Sequence, residues 1–582
     1  MLRCMPARTG TAHVVTTTRK YKNQVYRTHL LRRSYREGGT VKNETLGNLS
    51  HLPEPLIDLI RRSLHGESFV PLGESFEIIR SRPHGHVQAV GAAMQRLGLA
   101  SLIGSQSCPE RDLVLAMIAS RIVEPHTKLA TTRWWHTTTL AEDFAVTQAS
   151  EYELYGAMDW LLARQDRIQK KLAARHLHDG GLVLYDLTSS YFEGTTCPLA
   201  KRGYSRDGRA GTLQVNYGLM TDARGCPVAV SVHEGNTADS TTFMPAVHKL
   251  RQDFGIEHMV MVGDRGMVSQ KTIDEMTDAD GIGWITALKS NSIRALVEQG
   301  QLQMGLFDRR NLVELSSPQY PGERLVACRN DALAKLRAYK REDLLASTER
   351  SLQTIKTRVD VGKLKGQDAI GVRVGKIINR YKVAKHFELQ IAETDFSWTR
   401  KADSIASEAA LDGLYIIRTS VPPEQMDAPQ CVRNYKALAN VERAFRSIKT
   451  IDLKVRPIHH RLADRVRAHI FLCMLAYYVE WHMREAWREL TFADTEQQEK
   501  ATRDPVAPAK RSASAIAKIR SHTLTDGTQA HSFGTLMAEL ATIVRNTCRA
   551  PGASANAPTF EITTMANAKQ LRAFALIQGI EA

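Results

Sequence analysis

Gly181-Leu182-Val183-Leu184-Tyr185-Asp186-Leu187 and, further along, Met259-Val260-Met261-Val262-Gly263-Asp264 are short apolar runs that each deliver an aspartate. Apolar stretches of this length, bounded by turn residues, read as buried strands. Between them, residues 213–220 read as a second strand. The turn Thr221-Asp222-Ala223-Arg224-Gly225 then leads into a third, Val228-Ala229-Val230-Ser231-Val232. The amphipathic run from Thr241 to Phe254 is predicted helical, and 259–263 is the fourth strand. A helix over about 268–278 precedes the fifth, Gly283-Trp284-Ile285-Thr286-Ala287-Leu288.

The order βββαβαβ predicts an α/β fold with a ribonuclease-H-like core: an antiparallel meander extended by parallel strands that are reached through helices. In that fold the first and fourth strands are neighbours. Asp186 and Asp264 therefore meet although 78 residues separate them. A third acid is suggested downstream, where Tyr435, Leu438, Glu442, Arg446 and Lys449 recur every three or four residues. A 3.6-residue period puts one acid, two cations and a phenol on a single helical face. Two strand-end carboxylates and one helix carboxylate can hold a pair of divalent metals for phosphoryl transfer, and the cations and phenol suit a polyphosphate such as DNA.

Each element has a plainer reading when taken alone. Asp186 could cap a turn and Asp264 a helix, while Glu and Arg four apart often serve only to stabilise an exposed helix. Arg265, next to Asp264, could steer a phosphate. Glu193, Glu234 and Asp239 compete as acids. The first two fall in loops beyond strand ends, and Asp239 is expected to cap the helix that follows it. The loop Lys201-Arg202-Gly203-Tyr204-Ser205-Arg206-Asp207-Gly208-Arg209 reads either as a grip on DNA backbone, through Arg206 and Arg209, or as a solvated hairpin.

Over 582 residues, Lys plus Arg number 78 against 62 Asp plus Glu, a formal net charge of +16. That excess favours a polyanionic partner, since each neutralised phosphate releases counterions, although a merely basic surface would look the same. The eight cysteines, Cys4, Cys108, Cys197, Cys226, Cys328, Cys431, Cys473 and Cys548, form no Cys-x-x-Cys pair or zinc spacing. With no secretory leader, free thiols in a reduced cytoplasm are expected. The longest apolar stretch, Ile470 to Val479, is too short to span a bilayer and is predicted to be a buried helix.

Around the core, residues 1–75 form a basic, β-rich segment expected to contact DNA. Residues 1–50 carry ten Lys or Arg against two Glu. Residues 85–180 read as a helical domain, 181–290 with 431–485 as the catalytic core, and 291–430 as an α/β insertion after strand five. A Pro- and Ala-bearing linker near 504–512 opens a helical tail over 500–582.

Gly203-Tyr204-Ser205-Arg206-Asp207-Gly208-Arg209, Val230-Ser231-Val232-His233-Glu234-Gly235-Asn236-Thr237-Ala238-Asp239, Val262-Gly263-Asp264-Arg265-Gly266-Met267 and Val441-Glu442-Arg443-Ala444-Phe445-Arg446-Ser447-Ile448-Lys449 together resemble bacterial insertion-sequence transposases. So does Arg456-Pro457-Ile458-His459-His460. The resemblance is to the DDE class, in the branch with a Tyr-Arg-Glu-Lys signature, and Leu438 stands where that branch usually has Arg. It implies a catalytic and metal-binding triad of Asp186, Asp264 and Glu442 holding two Mg²⁺ ions, with Mn²⁺ as a substitute. Tyr435, Arg446 and Lys449 would position DNA. It also implies cleavage at terminal inverted repeats, a hairpin at the excised end, joining to target DNA, and a homodimer on double-stranded DNA in the cytoplasm at the nucleoid, with no membrane partner. Three rivals remain: a haloacid-dehalogenase-type phosphatase, disfavoured by Thr188 where a second Asp is needed, a silent DNA-binding derivative, and a nuclease of the same fold.

Overall fold

Three antiparallel strands open the described residues: β1 (Thr11–Tyr21), β2 (Gln24–Glu37) and β3 (Thr40–Asn48). A helix, Glu54–Leu64, follows, with Pro55 in its first turn, where the missing N–H costs nothing. This computed structural model describes residues 10–22, 24–67, 69, 75–277, 281–303, 307 and 311–581. Cys4, the start of the basic segment, residues 70–74 and the end of the helix expected at 268–278 lie outside them. The chain divides into two compact units, residues 1–81 with 546–562, and residues 82–545 with 563–582.

The first unit also holds most of a second three-stranded sheet, in which β4 (Glu77–Pro83) pairs with Val544–Arg549, and that strand with Phe560–Thr563. The tail is therefore not purely helical. Its apolar run Leu536 to Val544 splits into a helix, Phe533–Ala541, capped by Ser532, and the start of a strand.

In the second unit nine strands share one sheet among the described residues. They are β5 (Gly181–Tyr191), β6 (Lys201–Arg202), β7 (Leu213–Thr221), β8 (Pro227–Glu234), β9 (Met259–Val262), β10 (Ile282–Ala287), β11 (Leu312–Leu315), β12 (Arg324–Arg329) and, after the hairpin β13 (Phe387–Ile391) and β14 (Phe396–Arg400), β15 (Leu414–Thr419). The order β8-β7-β5-β9-β10 is the ribonuclease-H-like arrangement: β5, β7 and β8 antiparallel, β9 and β10 parallel to β5. The parallel strands need crossovers. The helices Ser240–His248 and Gln270–Thr277 supply them.

The region 291–430 does not simply leave the sheet. β15 pairs antiparallel with β10, then β12 with β15 and β11 with β12, so three of its strands extend the core edge. Its helical part does form a separate small core. In the 30-residue helix Asp331–Asp360 the buried positions Leu345, Thr348, Leu352, Ile355 and Val359 make one stripe at three- and four-residue steps. That stripe packs with Ile370, Phe387 and Phe396.

The helices between Gly85 and His176 have no core of their own. Val114, Leu154 and Leu172 share one apolar cluster with Leu184 of the sheet, Phe471 and Leu536. Helix Ala463–Ala486 runs through this cluster. Its residues from Ala468 to Met483 are buried without a break, because neighbours cover it on every side. Among the described residues no helix is long and apolar enough to cross a membrane.

Candidate active site

β5 carries Asp186 in mid-strand rather than at its end, as the sequence had suggested. Its antiparallel pairing with β7 continues to Tyr191, opposite Gln214, but its parallel pairing with β9 stops at Leu184, opposite Val262. Asp186 thus lies two residues past the point where β9 leaves its side. Asp264 lies two residues past the end of β9, after Gly263, whose N–H still reaches Ile285 O at 3.2 Å. A Cβ at Gly263 would sit 2.7 Å from the Phe243 ring, so only glycine lets the chain turn here so close to the crossover helix. Both aspartates lie where two sheet neighbours diverge.

The third acid comes from a helix–helix segment. Helix Ala428–Lys436 starts at Asp427, whose carboxylate accepts the Gln430 N–H at 2.7 Å. Ala437 interrupts it, helix Leu438–Arg446 follows, and Ser447–Ile451 form a π-turn. A cleft of about 260 Å³ is lined by Asp186, Asp264, Glu442, Tyr435, Lys436, Leu438 and Ala439. Tyr435, Leu438 and Glu442 therefore share a face, as their spacing predicts. Lys449 does not: the π-turn adds a residue to the helical turn, and its side chain is buried. Its Nζ lies 2.5 Å from Asp207 Oδ1 and 3.0 Å from Thr188 Oγ1.

Burial pushes the Asp186 carboxyl up to about 7, and the charges of Asp264 and Glu442 push the same way. The Leu187 N–H, bonded to Asp186 Oδ1 at 2.8 Å, and the Arg206 charge oppose them. Tyr435 Oη donates to Asp264 Oδ1 at 3.3 Å, and burial next to Asp264 raises the phenol well above its ordinary range. The three acids are hard oxygen donors with no sulfur or imidazole beside them in the cleft. Divalent magnesium or manganese suits such a set, and its positive charge would relieve their mutual repulsion.

The predicted cations fall into two groups. Arg265 and Arg446 are exposed, and Arg209 is exposed with its guanidinium 4.0 Å from the Tyr191 ring centroid. Arg206 instead pairs with Asp239. Asp239 is thereby corrected as a helix cap: helix Ser240–His248 follows it, but its carboxylate makes no cap hydrogen bond. Glu193 and Glu234 are exposed and line no part of the acidic cleft.

The sequence reading passed over a buried hub beside the site. The Asp207 side chain, 1% exposed, pairs with both Lys449 and Arg456 and accepts the Tyr191 N–H at 3.0 Å. Arg209, Lys449, Lys454 and Arg456 line a second cleft of about 340 Å³ with Asp207. The only hint in the sequence was an acid among four cations in the 201–209 loop.

Comparison with known proteins bears on this geometry directly. The family described as "Transposase DDE domain" matches residues 178–479, and "IS1634 family transposase, N-terminal domain" matches residues 14–69. No curated protein matches the sequence. Among solved structures, a cryo-EM structure of piggyBac transposase in a synaptic complex with hairpin DNA is similar at a TM-score of 0.35 and 8% identity. That similarity covers 78% of this chain and 77% of the other. The matched family spans the whole ribonuclease-H-like sheet and the helices that close the acidic cleft, and the chain belongs to it: this is a DNA transposase of the bacterial insertion-sequence DDE class.

Proposed function

We propose that Asp186, Asp264 and Glu442 hold two divalent cations, Mg²⁺ or Mn²⁺, and that the chain cuts DNA at the terminal inverted repeats of its element and joins the freed 3′-hydroxyls to target DNA. The observation that carries this reading is one cleft lined by three acids from positions 186, 264 and 442. A bound cation pair supplies a more nucleophilic attacking oxygen and a neutralised leaving oxygen. The protein's share is positioning. β5 carries Asp186 paired with β7 on one side, Tyr435 fixes the Asp264 carboxylate by its hydroxyl, and Glu442 sits exposed at the helix surface where DNA can approach.

Arg265, Arg446 and Arg209 are exposed cations suited to phosphates on either side of the scissile bond. Lys449 and Arg456, held by Asp207, present one fixed positive edge rather than two mobile ones. The basic β-rich segment is the proposed end-recognition module, and residues 291–430 an insertion that also extends the sheet. Joining two ends calls for two active sites, hence a homodimer on double-stranded DNA. Mg²⁺-dependent cleavage of a duplex carrying the element's own terminal repeats tests the reading. Asp186→Ala is expected to bind the ends and leave them uncut. Metal-dependent nicking retained by that variant would overturn the assignment.

A further inference from the structure

A second set of metal-capable side chains lies outside the acidic cleft. His176 ends the helix Gln165–His176, Cys226 directly precedes β8, and His482 lies in the helix Ala463–Ala486. One ligand atom from each falls within 4.8 Å of the other two. Cys226 Sγ and His482 Nε2 are 3.8 Å apart. Tetrahedral zinc, with bonds of about 2.0–2.3 Å, brings sulfur and nitrogen ligands to roughly 3.3–3.7 Å of one another, so small side-chain rotations would close the set.

We propose that His176, Cys226 and His482 form a binding site for Zn²⁺ or a similar borderline-soft divalent cation, distinct from the catalytic pair, which ties three separate elements together. One thiolate and two imidazoles select such a metal over magnesium. The surroundings resemble an outer shell. Tyr478 Oη lies 3.0 Å from His176 Nε2, and Asp222 Oδ1 accepts the Cys226 N–H at 2.9 Å. The β7–β8 turn is thereby locked around the thiol, with Gly225 at φ +92° completing it.

Water as the fourth ligand has a route, because His176 and His482 both border a cleft of about 560 Å³. Binding replaces the Cys226 S–H bond with a metal–sulfur bond and releases the proton to solvent, with no change of oxidation state. A bound dication and one thiolate leave a single positive charge. Two nearby cations would oppose it: Arg224 is engaged by Asp222 at 2.9 Å, and Arg175 donates to the Leu97 carbonyl at 2.8 Å. The ion would join the helix preceding β5 and the helix following the Glu442 segment to the meander that carries Asp186. Cys226 itself is buried, while the fourth position opens to the cleft, and the ion's role is to tie these three elements together.

Cobalt titration of the full chain in excess Mg²⁺ tests this. Co²⁺ is expected to produce a thiolate-to-metal charge-transfer band that Zn²⁺ abolishes, that Asp186→Asn retains, and that Cys226→Ser and His482→Gln lose. A band that survives in folded Cys226→Ser, or no band in the wild type, overturns the proposal. Should the variants fail to fold, zinc-edge X-ray absorption of the wild-type chain loaded with one equivalent decides. Sulfur in the first coordination shell supports the site, and a shell of oxygen and nitrogen alone refutes it. Because Asp186→Asn removes catalysis and not this site, its failure is separable from failure of the catalytic reading.

Discussion

Tyr435 donates its hydroxyl to Asp264 across 3.3 Å, linking the helix Ala428–Lys436 to the loop that leaves β9. The bond orients one acid of the cleft from the element that precedes the third, so the two halves of the site are joined before any DNA arrives. A hydrogen bond to a charged acceptor contributes about 1.5 kcal/mol or somewhat more. Tyr435→Phe keeps the ring and removes the bond. It is expected to slow strand cleavage about tenfold and to leave end binding in gel-shift assays within a few-fold of wild type.

Like charges crowd Asp186. Its carboxyl is raised to about 7 by burial, Asp264 and Glu442, so its ionised form is held at a cost in the folded state. Asp186→Asn removes that cost. In chelator at pH 8 the variant is expected to unfold at a higher temperature than wild type by scanning calorimetry, on the order of 1 kcal/mol more stable. Saturating Mg²⁺ should shrink or reverse the difference, because only the wild type gains its third carboxylate ligand.

Asp207 and Lys449 separate stability from DNA contact. Asp207→Ala leaves Lys449 and Arg456 without their shared carboxylate, one of them buried, and is expected to cost about 3–5 kcal/mol in denaturant unfolding. Lys449→Met leaves Arg456 on Asp207 and should cost less than half as much. If Lys449 also meets a phosphate, its loss lowers the salt dependence of end binding by about one counterion. An unchanged salt slope would make Lys449 purely structural.

Burial lowers several histidines of the second unit, among them His86 to about 4, with the His84 charge adding, and His460 to about 3, with Lys128, Arg121 and other cations adding. A base whose folded value is depressed stays neutral in the native state while the unfolded chain takes up the proton. Stability is therefore full above about 6.5 and falls as pH drops below it. The expected loss is on the order of 1 kcal/mol per pH unit for each histidine. The apparent unfolding temperature should decline from pH 6.5 to pH 4.5, and less steeply in a His86→Asn, His460→Asn double variant.

What the amino-acid order determined by itself was local and periodic. Alternating and continuous apolar runs marked β5, β7, β8, β9 and β10, and the βββαβαβ order made Asp186 and Asp264 neighbours. The three-to-four spacing aligned Tyr435, Leu438 and Glu442, and the unbroken apolar stretch Ile470 to Val479 foretold the helix buried on all sides.

Tertiary structure alone decided the rest, because it depends on contacts between residues far apart. Asp186 sits in mid-strand because β7 continues past it while β9 turns away. Lys449 leaves the expected face because a π-turn and the Asp207 carboxylate, 242 positions upstream, draw it inward. Asp239 gives up capping because Arg206 offers a full charge in place of an amide. β12 and β15, 84 residues apart across a separate helical core, rejoin the sheet edge because their backbone groups pair with each other, β15 also with β10 and β12 also with β11. His176, Cys226 and His482 gather from three elements that share no local pattern, and only the packed chain brings a thiol and two imidazoles within reach of one ion.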